Sequence, residues 1–182
     1  MAVRFSSALP VQKRYFCQTG KMHLILLLAL ALPYAAFALS GQVANTEGDV
    51  ALRNGGQAHD AAIEDSLGAG DELVTGPKSL AVIDLANGTT LKLKEKTTLA
   101  IDSIGEWTSV KLTAGGVFAT IARKLSGRFP VQTQTAVAGV RGTEFFMAYG
   151  KTIDAKPDVW LCVNSGAVEV VIPDTGQTVI VP

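Results

Sequence analysis

The sequence predicts an all-β domain, and three observations support that prediction. After residue 38 the chain of 182 residues consists of short apolar alternations, separated by Gly, Asn, Asp and Pro roughly every eight to twelve residues, which is typical of strands joined by turns. No stretch of about ten or more residues there has the helical period. Asn87-Gly88 is a strong hairpin signal, because both residues tolerate a positive φ.

The N-terminal segment has the features of a secretory signal peptide. Four basic residues and no acidic residue precede the end of an uncharged run at residues 24–39. That run is shorter than the roughly 20 residues that span a bilayer, and Ala36-Phe37-Ala38 is a typical cleavage signal. We predict a signal-peptide helix cut after Ala38. An uncleaved anchor is the alternative, and the sequence leaves Met1 and Met22 open as the start.

The charge of the remaining chain disfavours one large class of function. The whole sequence is neutral, with 16 basic and 16 acidic residues. Residues 1–38 hold four of the basic residues. Their removal leaves 12 basic and 16 acidic residues, a net charge of −4. A general nucleic-acid binder needs many Lys and Arg contacts to phosphate, so we do not expect that function. Cys162 is then the single cysteine, which excludes an internal disulfide.

We divide the exported part into a linker at residues 39–47 and one domain at residues 48–182, which is long enough for its own core. Apolar residues alternate in each predicted strand, so that one face turns to the core and the other to solvent. Leu91, Leu93, Leu99 and Ile101 are predicted to face inward, with Lys92, Lys94 and Lys96 outward. In other strands the sequence shows the alternation without deciding the inward face: Val50 and Leu52 share one face, Ala81, Ile83 and Leu85 alternate with Leu80, Val82 and Asp84, and Val117, Ala119 and Ile121 alternate with Phe118 and Thr120.

Two short strands joined at a bend are predicted at residues 133–146, which read TQTAVAGVRGTEFF. The run is too rich in glycine for a helix, since each interior Gly costs about 1 kcal/mol relative to Ala. Gly139 and Gly142 mark a turn closed to other residues, or a place where another strand comes close. Arg141 is expected to donate to carbonyls at the bend or to Glu144, with a ligand carboxylate or phosphate as the alternative.

The C-terminal segments are predicted to be buried strands. Residues 159–163 and 167–172 form a pair around Asn164-Ser165-Gly166, and residues 177–181 close the chain. Their continuous apolar character predicts burial on both faces.

A glycine just before an alternating apolar strand recurs three times, at Gly48, Gly116 and Gly166. Repeated strand-turn units that stack on one another form a solenoid or roll. We therefore predict a short β-solenoid or roll, or else an irregular sandwich of many short strands.

Several of these pieces, in this order, resemble the FecR domain. They are GDELVTG at 70–76, SLAVIDL at 79–85 followed by NGT at 87–89, GGV at 115–117, FPVQT at 129–133, VRGTEF at 140–145 and VNSGAVEV at 163–170. The resemblance covers about residues 48–172, and its most specific element is the Arg-Gly-Thr step with a following aromatic residue. The motif and structural positions are Gly88, Gly139, Arg141, Gly142, Thr143, Phe145 and Gly166.

The resemblance implies an all-β domain outside the cytoplasm. Founding members of the family are membrane-spanning regulators that relay the occupancy of an outer-membrane iron-siderophore receptor to a cytoplasmic sigma factor. We expect this chain to lack their sigma-binding segment and membrane span. The expected function is a binding or sensory module at the cell envelope, in the periplasm or secreted, without direct control of a sigma factor.

Few residues of the exported part suit catalysis. His59 lies beside Asp60 in a polar loop and is interpreted as a solvated surface residue, while Cys162 is interpreted as a small buried hydrophobe. The sequence has no Gly-x-Ser-x-Gly elbow, too few His and Cys for zinc, and no acidic residues at calcium-loop spacing. We predict a protein that is not an enzyme and has no metal or cofactor, with an envelope hydrolase using His59 as the alternative.

The expected partner is another envelope protein or a glycan, contacted through a rigid β-surface or by strand addition at a sheet edge. A structural or adhesive protein that binds polysaccharide or peptidoglycan is the alternative. Rows of lysine also keep β-surfaces soluble, and a tryptophan in a turn either stacks on sugar or caps the core. The candidate ligand contacts are Trp107, Lys92, Lys94, Lys96, Arg123, Lys124 and Arg128.

Overall fold

The computed structural model describes residues 40–182 except for residues 106, 122–128, 141 and 154–155. At residues 151–153, 156 and 157 it describes the backbone. The predicted signal peptide, Arg141 and the basic cluster of Arg123, Lys124 and Arg128 lie outside the described residues.

The described residues form fifteen strands and no helix, which confirms the all-β prediction. Within this part of the chain, no helix is therefore long and apolar enough to cross a membrane. The bounds are β1 Gly41–Glu47, β2 Val50–Asn54, β3 Gln57–Asp60, β4 Ser66–Leu67, β5 Glu72–Thr75, β6 Leu80–Leu85, β7 Thr90–Leu93, β8 Thr98–Ser103, β9 Ser109–Thr120, β10 Phe129–Gln132, β11 Val137–Val140, β12 Glu144–Ile153, β13 Lys156–Ser165, β14 Val168–Ile172 and β15 Gln177–Val181.

The strands form two sheets that share the long strand β9. Sheet 1 has the order β4-β1-β6-β7-β9-β12-β13, and sheet 2 has the order β3-β2-β5-β8-β9-β10-β11-β14-β15. β9 bends at Gly115, where φ is 83°. Residues before the bend pair with β8 and β10, and residues after it pair with β7 and β12. All the neighbours are antiparallel except the parallel pair β9 and β10.

Alternating side chains of both sheets point into one hydrophobic core. The residues predicted to face inward, Leu91 and Leu93 in β7 and Leu99 and Ile101 in β8, are buried. In the other strands the structure decides which face is inward, and the row that begins with Val50 in β2 and the row that begins with Ala81 in β6 are buried. Phe129 and Phe145 are among the largest side chains that are fully buried. Because residues of both sheets belong to the same cluster, the two sheets face each other across it.

Close backbone contacts hold the corners where the chain passes between the sheets. Between β1 and β2, the Asp49 amide donates to Ser79 Oγ at 2.9 Å, and a Cβ at Gly48 would lie 2.5 Å from the same oxygen. The Gly76 amide in turn donates to the Asp49 carbonyl at 2.8 Å. The corner between β1 and β2 is therefore bonded to the corner between β5 and β6.

Two buried threonines continue this bonding as far as β9. The Thr97 amide donates to Thr75 Oγ1 at 2.9 Å, and the Gly116 amide donates to Thr97 Oγ1 at 2.9 Å. These hydroxyls satisfy backbone groups where the strand ladders are interrupted. A Cβ at Gly115 would lie 2.5 Å from the Lys96 carbonyl oxygen, so the bend of β9 accommodates glycine alone.

The predicted bend within residues 133–146 is confirmed. β11 lies in sheet 2 and β12 in sheet 1, and Gly142 between them has a φ of 62°. Gly139 lies in β11, where β10 and β14 pair on either side of it. The next corner, between β13 and β14, packs on this bend, because a Cβ at Gly166 would lie 2.5 Å from Thr143 Cγ2.

Two predictions for the C-terminal strands are wrong. β13 and β14 do not pair with each other, since β13 pairs with β12 and β14 lies between β11 and β15. The strands are not buried on both faces either: Cys162 in β13 is exposed, and so are Val179 and Ile180 in β15. Both β13 and β15 end a sheet in the described structure, and an apolar composition does not reveal whether a strand has a neighbour.

Residues 41–47, which the sequence analysis placed in a linker, form β1 instead. Val43 is its only large apolar residue and is fully buried. The strand pairs with β6 along its length and with β4 at its start. One inward residue gives no visible alternation, so this strand depends on pairing with residues that are distant in the sequence.

We predict that Gly166→Ala lowers the free energy of unfolding by about 2 to 4 kcal/mol. The added Cβ meets Thr143 Cγ2, and the φ of 94° disfavours any residue with a side chain. Urea denaturation measures the loss. In the double variant Gly166→Ala with Thr143→Ser, which removes Cγ2, the loss is smaller than the sum of the two single losses. Strict additivity would contradict this contact.

Candidate binding surface

The outer face of sheet 1 carries aromatic rings beside two lysines. The strand register aligns Lys92 with Phe118, Phe118 with Phe146, and Phe146 with Cys162. In the neighbouring row the Lys94 amide donates to the Gly116 carbonyl at 2.8 Å, and Ala148 pairs with Trp160. We call this surface the aromatic-lysine face, and its residues are Lys92, Lys94, Phe118, Phe146, Trp160 and Cys162.

Strand alternation puts these side chains on the outside. Phe118 lies between buried Val117 and Ala119, and Phe146 lies between two core residues. Both rings are half-buried on the sheet surface. A Cβ at Gly116 would lie 2.8 Å from Phe146 Cζ, so the glycine leaves room for the ring to pack onto the backbone of β9. A ring held in this way presents a fixed apolar surface to solvent.

The lysines, both at the β7 end of the face, make that end positively charged. Lys92 and Lys94 are exposed, and neither has an acidic partner within salt-bridge distance among the described residues. On the bordering row of this face, Asp84 accepts a hydrogen bond from Thr90 at 2.6 Å, and Glu144 accepts one from Asn164 at 3.1 Å. The face therefore suits a partner with apolar groups next to negative charge or hydrogen-bond acceptors.

The structure separates the other candidate ligand contacts from this face. Lys96 lies at the corner between β7 and β8 with a φ of 53°. Trp107 lies in the loop before β9, at the opposite end of that strand from Phe118, and is 69% exposed, so it does not cap the core. Only Lys92 and Lys94 of the predicted contacts within the described residues come together on the aromatic-lysine face.

The motif residues of the described chain occupy turns, corners and the core. Gly88 ends the turn between β6 and β7 with a φ of 80°, and its amide donates to the Leu85 carbonyl at 2.9 Å. Phe145 is fully buried in the core. The remaining described positions lie in β11 or at the two corners already described: Gly139, Gly142, Thr143 and Gly166. These residues shape the backbone.

The predicted reactive residues lie apart from one another. His59 is in the exposed strand β3, not in a loop, and its Nε2 is 3.5 Å from Asp65 Oδ2. Cys162, predicted to be buried, is exposed because strand alternation places it on the outer face of sheet 1, opposite Phe146. Nowhere in the described part of the chain do three or more His, Cys, Asp or Glu residues cluster as metal ligands.

Sequence reasoning missed the aromatic members of the face. The sequence shows that Phe118 alternates with Val117 and Ala119, but it does not decide which of the two faces is outward. Phe146 aligns with Phe118 through the pairing of β12 with β9, which joins residues far apart in the sequence. The one local signal is an aromatic residue at an outward position in each strand.

Comparison with known proteins agrees with this architecture. Residues 71–169 match the family model described as FecR protein. Two crystal structures of a proposed anti-sigma factor from Parabacteroides distasonis, at 1.65 and 2.50 Å resolution, share the fold with TM-scores of 0.51 and 0.52. In each case the identity is 20%, over 60% of this chain and 50% of the other, so this chain spans about half the length of those structures. No curated protein matches the chain.

We predict that neighbouring phenylalanines contribute very differently to stability. Phe145→Ala leaves a cavity in the core and lowers the free energy of unfolding by about 3 to 5 kcal/mol. Phe146→Ala removes a half-buried ring from the outer face and costs about 1 kcal/mol. Urea denaturation of the two variants provides the comparison. Equal losses would show that Phe146 belongs to the core and not to the aromatic-lysine face.

Proposed function

Because the chain belongs to the FecR protein family, we propose that it acts outside the cytoplasm as a non-catalytic binding or sensory module of the cell envelope. The observation that carries this proposal is the aromatic-lysine face. Its rings are held on a bonded sheet, and its lysines lack acidic partners among the described residues. A surface organised before binding loses little conformational entropy when a partner docks.

The separation of the candidate reactive residues from one another supports a non-catalytic role. His59 is on an exposed strand, with Asp65 as its acidic neighbour. A hydrolytic triad needs a nucleophile within hydrogen-bond reach of such a pair. For the described residues, the hydrogen bonds that the structure gives place no serine or threonine hydroxyl there.

The comparison proteins support a role in signalling. The solved structures are described as a proposed anti-sigma factor, and this chain spans about half of their length. We propose that the β-domain of this chain senses an envelope protein or glycan. We propose further that the fold is a short roll, since the chain passes repeatedly from one sheet to the other, often after two consecutive strands in the same sheet.

The test uses the full chain expressed with a photoreactive benzoylphenylalanine in place of Phe146. We expect the protein in the periplasm or the medium, beginning at Leu39, and a discrete crosslinked product after irradiation. The matched control carries the same group at Ile63, which is 57% exposed in the loop before β4, and gives no product. Cytoplasmic protein, or equal crosslinking at both positions, would refute the proposal.

An alternative function is adhesion to polysaccharide or peptidoglycan, which the 69% exposure of Trp107 favours. An indole ring in a loop stacks on a sugar without disturbing the core. On this alternative the chain sediments with insoluble peptidoglycan, and Trp107→Ala lowers the bound fraction several-fold. Trp160→Ala, a change of the same ring on the aromatic-lysine face, leaves it unchanged. Retention that is insensitive to Trp107 would exclude this mode of binding.

A further inference from the structure

The two sheets have equal numbers of described strands on one side of β9 and unequal numbers on the other. On the first side, moving outward from β9, sheet 1 has β7, β6, β1 and β4, and sheet 2 has β8, β5, β2 and β3. On the other side sheet 2 continues through β10, β11, β14 and β15, whereas sheet 1 has β12 and β13 among the described residues. Sheet 1 is therefore two strand positions shorter there.

The uncovered part of sheet 2 is apolar on its inner face. Val168 of β14 is buried in the core, and strand alternation puts Val170 and Ile172 on the same face. Register places Val181 opposite Val168 and Val179 opposite Val170 in β15. These positions beyond Val168 are half-buried or exposed, and Val179 is 47% exposed.

On the side of β9 where both sheets have four described strands, the outer edge of sheet 2 is polar. Its outermost strand in sheet 2 is β3, which is exposed along its length and reads Gln57-Ala58-His59-Asp60. A polar edge of this kind is compatible with water. Exposed valine and isoleucine therefore occur at the edge where sheet 1 is short.

The inward side chains of β13, the edge strand of sheet 1, are also incompletely covered. In the described structure β13 pairs with β12 alone. Val159, Leu161 and Val163 of β13 point toward the core and pack against it, yet they are only partly buried. A further strand beside β13 would cover these side chains and would also lie over β14, with its own side chains reaching the adjoining inner residues of β15.

We propose that an extended segment of a partner protein adds to β13 as the next strand of sheet 1, lies over the inner face of β14, and contacts the adjoining inner residues of β15 with its side chains. We use the name open step for the free edge of β13 together with the inner-face residues Val170, Ile172, Val179 and Val181. The proposal rests on the proposed binding function and assigns it a second contact, formed by backbone pairing. Apolar residues at alternate positions of the segment meet the uncharged floor of the step.

The size of the step favours a peptide over a folded partner. Two strand positions are about 10 Å wide, and the five residues from Val159 to Val163 extend about 17 Å. A stable interface between folded proteins buries about 800 Å² on each partner, far more than this floor offers. For an extended segment, backbone hydrogen bonds to β13 add binding free energy that the small apolar area alone does not supply.

A second copy of this chain does not fit symmetrically. If β13 paired with β13 of another copy, the strands of sheet 1 would continue across the two-fold axis. β14 and β15 of each copy would then occupy the space of β10 and β11 of the other, because all of them lie in sheet 2 on that side. The segment 1–38 is not the occupant that we propose, because we predict that it is removed by cleavage after Ala38.

The test measures binding of a labelled ten-residue peptide of alternating Val and Thr, with a terminal Lys for solubility, to the exported protein by fluorescence anisotropy. We expect saturable binding that Val179→Lys weakens by about tenfold or more, because the ammonium would enter the apolar floor. Ile180→Lys is the matched control. It lies on the outer face of the same strand, is 69% exposed, and leaves the affinity within about twofold.

Backbone amide signals provide the second readout. On binding, alternate amides of β13 become protected from hydrogen exchange, while those of β3 at the opposite edge of sheet 2 do not. A peptide with the same composition but its valines in one block binds several-fold more weakly. Absent binding, equal effects of the two lysine variants, or self-association broken by Val179→Lys would overturn the inference. If the Phe146 crosslink persists in that case, the proposed function stands and this inference alone fails.

Discussion

The close approach of backbones at the sheet corners is the constraint on which the rest of this structure depends. Gly48, Gly115 and Gly166 each lie within 2.5 Å of a neighbouring atom when a Cβ is placed on them. The hydroxyls of Ser79 and Thr97 bond the backbone groups that the interrupted ladders leave unpaired. Because the corners contact one another, the two sheets are held at a fixed separation and the alternating side chains close into one core.

This fixed arrangement explains how a protein of ordinary composition acquires a defined outer surface. Strands joined by tight corners have little freedom in register, so outward residues of different strands align in rows. Lys92, Phe118 and Phe146 form such a row although they are far apart in the sequence. The same corners determine where each sheet ends, because the chain leaves sheet 1 at Gly166 and continues in sheet 2.

The two proposed contacts rest on different physical features of the fold. The aromatic-lysine face offers side chains to a partner, whereas the open step offers backbone groups and an uncharged apolar floor. They lie on opposite faces of sheet 1 and meet at β13, whose outward residues belong to the face and whose inward residues belong to the step. A partner that presents an extended segment beside a folded surface would contact both, which increases affinity without a large single interface.

The sequence by itself determined the fold class, the alternation within strands and the turns. These depend on local periodicity and on glycine, as buried Leu91 and Leu93 and the turn at Gly88 illustrate. Only the tertiary structure decided that residues 41–47 form β1, that β13 and β14 separate into different sheets, and that Phe146 lies beside Phe118. Those properties depend on which strands become neighbours. The energy of strand pairing comes from residues far apart in the chain, so a local sequence pattern does not predict the neighbour.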